Sequence, residues 1–379
     1  MNFVMKLNPL KFSAGIVFVS VFLFLYFGNG SLLAENPSKK VKKWDVGLSL
    51  RTFYDSNILK YSDKYLQRFM NREDEGRFHI NRYDDLVTQY SLGVDFTEKI
   101  IGNLNSIFSL DLGLNQYAFN PIKTWRQFEV SWRQYVYKST SFRISYSYIP
   151  DFYVRHFRDE EWIDVIGYVP EAFQPYSFAK DDYSFWLQHN VFDNTRVRLY
   201  FSFMKYYHNE HYTEYNCDNI MYGVKIYQDI TRDLNIDAGF KYENSDAAGI
   251  VRSLSNDPYS KIDADNDSYI YDAGIDYELP EVFGLKNDIG VSGQIETAYY
   301  STNNIVEVDP MHSGRIDYNY RVNVDYNIDL LNDLSIRAFY SWLYRDSRTS
   351  SDVNSEFVSD EKDYTQYLLG MQINYKIEF

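Results

Sequence analysis

From Arg315 to Asp329 the chain alternates apolar and polar residues without a break. Ile316, Tyr318, Tyr320, Val322, Val324, Tyr326 and Ile328 share one side, while Asp317, Asn319, Arg321, Asn323, Asp325, Asn327 and Asp329 share the other. Successive side chains of a β-strand point to opposite faces, so the pattern predicts a strand with one apolar and one polar surface. A helix, with a period of 3.6, would spread the same residues around its circumference.

Thirteen further segments alternate in the same way. The predicted strands are 44–54, 84–97, 103–118, 124–137, 142–155, 181–193, 195–208, 216–229, 233–245, 267–279, 287–301, 314–329, 333–346 and 362–379. At about 11 to 18 residues they exceed the usual strand of a soluble sheet and suffice for a tilted membrane crossing. Connections after even-numbered segments are mostly short: Glu98–Gly102, Lys138–Ser141, Asp193–Asn194, Ile230–Arg232, Pro280–Lys286 and Leu330–Asn332. Most after odd-numbered segments are longer: Ser56–Tyr83, His156–Lys180, Asp246–Asn266, Thr302–Ser313 and Ser347–Glu361. Short turns at one end and long loops at the other are the pattern of a bacterial membrane barrel, and an even count places both termini at the short-turn end. Asn120–Lys123 is short for its position, so the expected count is about 14 strands, with roughly 12 to 16 open. A soluble sandwich or propeller would bury the apolar face and use strands of about 5–6 residues.

The last eleven residues, LGMQINYKIEF, place Leu369, Met371, Ile373, Tyr375, Ile377 and Phe379 on one face. This stretch resembles the closing strand of Gram-negative outer-membrane β-barrels. The resemblance implies an all-β, transmembrane, antiparallel up-and-down barrel over residues 35–379, embedded in outer-membrane lipid and lipopolysaccharide. It also implies that Tyr375, Ile377 and Phe379 are the signal read by the barrel-assembly machinery, with both termini periplasmic. Phe53–Ile58 (FYDSNI) resembles the end of the first strand in several proteobacterial barrel families, some linked to surface or polysaccharide assembly. That likeness admits envelope protein partners and names no substrate.

The N-terminus agrees with export. Lys6 and Lys11 precede or open an apolar run, Phe12–Phe27, and small or polar residues lead to Ala34. This is the layout of a cleaved signal peptide over 1–34, with Gly30 as an alternative end. About 16 apolar residues fall short of the roughly 20 that a membrane helix needs.

Composition changes the picture in three ways. Mean hydropathy is −0.44, yet alternation hides membrane strands from such an average, because each lipid-facing residue is offset by a lumen-facing one. Aromatic residues make up 18%, with 37 Tyr and 27 Phe, which suits β-structure and the bilayer interface. A net charge of −15 argues against nucleic acid as a partner, and a single cysteine, Cys217, excludes an intrachain disulfide.

Lumen-facing charge is the main candidate chemistry. By parity, Arg133, Arg143, Arg196 and Arg198 point inward from the fourth, fifth and seventh segments. Asp237, Glu243, Asp272, Asp276, Glu278, Asp317, Asp325 and Asp329 point inward from the ninth, tenth and twelfth. The four arginines and Asp237, Asp276, Glu278, Asp325 and Asp329 lie toward the short-turn half. A basic arc facing an acidic one sets up a transverse field of the kind that orients solutes in a constriction. The alternative is that these charges pair with neighbours on the wall and merely keep the interior wet. One bulge would reverse a strand's parity.

Other chemistry is sparse. His208, His211, Glu210 and Glu214 suit a solvated loop better than a metal site. Asp263, Asp265 and Asp267 begin like a calcium loop but lack Gly at the sixth position, where Ser268 stands, and an acid at the twelfth. His156 and His208 lie near long-loop strand ends without a catalytic motif, and His189 falls on the apolar parity. No enzyme activity and no cofactor or metal are expected. The expected function is a porin-like channel for passive diffusion of small polar or charged solutes; the alternative is a non-conducting scaffold or export-complex component.

Overall fold

The computed structural model describes residues 44–378 except 74–75, 102–103, 159–165, 168, 250–262, 303 and 308. The expected signal peptide and Phe379 fall outside the described residues.

Fourteen antiparallel strands follow one another around a closed barrel. They are β1 (Trp44–Asp55), β2 (Asp85–Ile101), β3 (Leu104–Tyr117), β4 (Trp125–Tyr137), β5 (Thr140–Arg158), β6 (Phe173–Phe192) and β7 (Thr195–His208). The second half comprises β8 (Cys217–Asp229), β9 (Leu234–Ala247), β10 (Asn266–Val282), β11 (Leu285–Tyr300), β12 (Arg315–Leu331), β13 (Leu334–Thr349) and β14 (Tyr364–Glu378). Closure is made by β1, which pairs Leu48 with Leu92 on one side and with Tyr375 on the other. Every strand therefore has two partners and the sheet has no free edge, a requirement of backbone placed in lipid.

Directly opposed residues share a face, so register fixes which way each strand looks. Val322 pairs with Gly293 and Trp342, Ile373 with Leu50 and Ile336, and Leu110 with Val94 and Val130. This face is the outside: Leu48, Leu110, Ile275, Val291, Leu369 and Met371 are all exposed on it. An apolar belt around the whole wall is the inverse of a soluble protein and matches a bilayer as solvent.

The strand ends differ in kind. At the short-turn end, Phe283 and Gly284 both adopt positive φ, 56° and 76°, in a two-residue hairpin between β10 and β11. Mirror-image turns of this sort match the twist of the strands they join. At the long-loop end, helix α1 (Asp63–Asn71) lies in the β1–β2 connection and helix α2 (Ser355–Lys362) in the β13–β14 connection. Ser62 caps α1 by accepting from the Tyr65 N–H, and Arg72 closes it in the left-handed region at φ 56°.

One expectation is corrected here. Both ends of the segment expected as a loop, His156–Lys180, are strand, because β5 runs to Arg158 and β6 starts at Phe173. Alternation fails in β5 for a physical reason: the register against β6 shifts between Ile149 and Phe152 and again between Tyr153 and Arg155. Two bulges hide a long strand from a period-two reading. They lie beyond Arg143, whose own parity is untouched.

Candidate functional site: the charged lumen and its covered mouth

The inward faces carry polar and charged residues, and the four arginines stand together at the short-turn end. Arg133 and Arg143 are directly opposed on β4 and β5. Arg133 and Arg198 both lie over the Trp186 ring, at 5.1 and 4.6 Å, and Arg196 and Arg198 lie over Tyr227 at 4.9 and 5.2 Å. Aromatic faces thus take the place of counter-ions for like charges held close. Arg143 differs, since it pairs with Glu129 at 2.7 Å, and Arg198 donates to Gln188 Oε1 at 2.6 Å.

The acids on β9, β10 and β12 occupy another arc. Asp237 shares Lys225 with Asp272, at 2.5 and 2.7 Å, and Asp325 pairs with Arg337 at 2.8 Å. Asp276 and Asp325 flank Gly290, and a Cβ there would stand 3.0 Å from a carboxylate oxygen of each. Glu278 directly opposes Asp288. Asp329 lines a cavity of about 440 Å³ at the same end, with Asp45, Asp95, Asp111 and Asp333. Among the described residues, Arg143, Asp237 and Asp325 have ion-pair partners on neighbouring strands, whereas Arg133, Arg196, Arg198, Asp276, Glu278 and Asp329 have none. The wall is neither fully paired nor fully bare.

The long-loop end is covered. Asn57 Nδ2 donates to the Thr365 carbonyl on β14 at 3.2 Å, and two residues on, the Leu59 carbonyl accepts from Arg155 on β5 at 2.7 Å. Four strands, β1 to β4, separate β14 from β5 around the wall, so residues 57–59 cross inside the mouth. Ile58, Leu59, Tyr61, Tyr65 and Ile80 form a hydrophobic cluster there with Tyr153 of β5. Ser62 Oγ donates to the Asp360 carbonyl, and Lys64 pairs with Asp360 at 2.8 Å, which ties α1 to α2.

The short connection at Asn120–Lys123 belongs to this cover. Asp85 accepts from the Phe119 and Asn120 amides, and Asn120 Oδ1 accepts from the Asn81 and Arg82 amides. A loop used as a foundation for its neighbour needs no length of its own, which accounts for the irregularity in the sequence pattern.

The histidines and loop acids find ordinary partners. His208 Nε2 is 3.0 Å from the Tyr176 hydroxyl, and His156 stacks on His79 with centroids 3.6 Å apart. His189, on the outer face, hydrogen-bonds Thr140 at 2.8 Å near the short turns. Asp265 accepts from the Ala247 amide and Asp267 from Asn244, so both are engaged in tying β9 to β10. Among the described residues no cluster of His, Cys, Asp and Glu is arranged to hold a metal ion. His312, unremarked in the sequence pattern, is buried against Asp309 at 2.8 Å.

Closed wall, apolar belt and polar inner face together define a transmembrane β-barrel. No protein-family model matches the chain, and no curated protein matches its sequence. Its structure is similar to the outer-membrane channel DcaP of Acinetobacter baumannii, with 11% identity, 91% of this chain and 100% of that one covered, and a TM-score of 0.44. It is also similar to a Pseudomonas aeruginosa FadL homologue, at 10% identity, 88% and 90% coverage and a TM-score of 0.44. An anion-selective porin from Comamonas acidovorans matches at 8% identity, 89% and 99% coverage and a TM-score of 0.40.

Proposed function

We propose that the protein is an outer-membrane channel through which small polar or charged solutes diffuse passively. Its termini and short turns face the periplasm, and Tyr375, Ile377 and Phe379 serve as the signal for the barrel-assembly machinery. The observation that carries this reading is the pair of arcs at the short-turn end: arginines of β4, β5 and β7 against acids of β9, β10 and β12. Fixed charges of opposite sign across a narrow lumen orient and select a passing solute. Fourteen strands fall between the eight-strand barrel filled by side chains and the open 16–18-strand porins.

One observation favours a second reading, a non-conducting scaffold for an envelope complex. Residues 57–59 cross the mouth, and the cluster around Tyr61 and Tyr65 holds them there. Planar-bilayer recording decides between the two. Steady ohmic steps from folded protein are the expected result, and silence from protein with heat-modifiable gel mobility would remove the channel.

A further inference from the structure

The covered mouth holds an open cavity of about 780 Å³, well within the size of a site for a small organic ligand. Eight Lys and Arg side chains line it against two described carboxylates, Asp309 and Glu361, in a chain whose net charge is −15. Three of those cations matter most. Arg155 gives a hydrogen bond to the Leu59 carbonyl and lies over the Tyr61 ring at 5.0 Å. Lys60 lies 5.8 Å from the Tyr364 ring, and Lys362 is 5.8 Å from Phe157. None of the three forms an ion pair with a described carboxylate. Arg315, by contrast, is bound by Asp317 through two contacts at 2.7 and 2.5 Å.

The cations converge from separate elements. Lys362 of α2 is surrounded by Arg315 of β12, Arg155 of β5 and Arg345 of β13, with Glu361 as the nearby acid. Its ammonium is pushed down to about 7, first by burial and then by Arg315 and Arg155. Asp317 pairs with Arg315 and Arg345, which leaves Lys362 and Arg155 as like charges whose partial burial an added anion would offset.

Aromatic side chains make up a large part of the remaining lining. Tyr176 sits at the centre, stacked on His208 at 5.0 Å, edge-on to Tyr215 at 5.6 Å and tilted against Phe157 at 6.5 Å. Phe178 and Tyr206 continue the wall at 5.2 Å from each other. The Tyr61 hydroxyl and His208 Nδ1 have no hydrogen-bond partner among the described residues. Flat aromatic faces accept another ring, and amphipathic Tyr and His edges accept its polar substituents.

We propose that this cavity is a binding site for small organic anions that carry a ring, with Lys60, Arg155 and Lys362 taking the carboxylate or phosphate and Tyr176 and its neighbours taking the ring. The ring can be aromatic or a sugar; both present a face to stack and an acid to pair. As the entry station of a channel this site rests on the channel reading, but binding itself does not need conduction.

Calorimetric titration of the folded mature protein in detergent tests the site with benzoate and glucuronate, their neutral counterparts benzyl alcohol and methyl glucoside, and acetate as an anion without a ring. At least one ringed anion is expected to bind tenfold or more tightly than both its neutral counterpart and acetate. Benzoate or glucuronate in that role tells an aromatic acid from an acidic sugar. The Lys60→Gln, Lys362→Gln double variant is expected to lose tenfold or more, while Lys286→Gln, at an exposed position of β11 beside the short turn, leaves affinity unchanged. Neutral counterparts binding as tightly as the anions, or no ringed anion binding at millimolar concentration, overturns the site. The wild-type comparison alone decides this if the double variant does not fold. Bilayer recording keeps the two readings apart: binding by a silent barrel retains the site and removes the channel, and ohmic steps without binding do the reverse.

Discussion

The Lys123 ammonium donates to the Tyr153 carbonyl at 2.8 Å, inside the cover, with only 4% of the residue exposed. A second bond reaches the Val154 carbonyl at 3.2 Å, and the Phe152 ring lies 5.1 Å away. These acceptors belong to the bulged stretch of β5, whose carbonyls leave the regular ladder. The lysine therefore fastens the β3–β4 connection to a bulged stretch of β5.

That placement has a pH signature. Burial, then Arg155 and Lys60, push the Lys123 amine from 10.5 down to about 7, with Asp55 opposing. Between those values the unfolded chain binds more protons than the folded one at this site, so its contribution makes stability rise as pH rises. The slope approaches about 1.4 kcal/mol per pH unit within the window. Urea unfolding in lipid vesicles at pH 7, 8.5 and 10, compared with Lys123→Met, is the measurement. The variant is expected to lose this part of the rise, and identical slopes would show that Lys123 does not titrate there.

Val322 and Arg321 are sequence neighbours on opposite faces of β12. Val322→Arg puts a charge into the apolar belt between Gly293 and Trp342 and should cost roughly 2–4 kcal/mol if at the bilayer midplane. Arg321→Ser, on the wet face, should cost far less. Equal effects would show that β12 does not span as its register indicates.

Gly370 of β14 faces inward beneath Phe53, where an added Cβ would collide with the Thr52 carbonyl and Phe53 Cβ. Phe53 in turn packs edge-on to Phe339 at 6.0 Å, and Arg51 covers Phe339 at 3.9 Å. Gly370→Ala should destabilise by about 1–3 kcal/mol through overpacking at the closing seam. The same urea midpoints report it, and a neutral outcome would mean that the β1–β14 seam relaxes freely.

Removing Arg196 and Arg198 leaves a lumen dominated by Asp276, Glu278, Asp325 and Asp329. The Arg196→Ser, Arg198→Ser variant should therefore favour cations more than wild type, read as reversal potential in a salt gradient. At molar salt, where the screening length falls to about 3 Å, the difference should shrink. Unchanged selectivity at low salt in a folded variant would place these arginines off the conduction path.

If Tyr375, Ile377 and Phe379 form the assembly signal, deletion of Phe379 should leave export intact and block insertion. Heat-modifiable mobility is the readout, and normal folding of the deletion would count against an assembly signal at this end.

The barrel itself is legible in the chain, because each strand between water and lipid must alternate and backbone in lipid must close on itself. Arg315–Asp329 alone shows the period, and β7 ends where the alternation ends, at His208. Register preserves a face across every rung, so Arg133, Arg196 and Asp276 share a face with Arg143, Asn190 and Gly290 opposite them. The cover over the mouth is another matter. Asn57 meets Thr365 across 308 positions and Lys64 meets Asp360 across 296, and no local period announces such contacts. The bulges in β5, the anchoring of Lys123 and the gathering of Lys60, Arg155 and Lys362 depend on where loops land once the wall has closed. Alternation is set by the solvent on each side of one strand, whereas the mouth is set by packing between segments far apart in the chain, which only the tertiary structure decides.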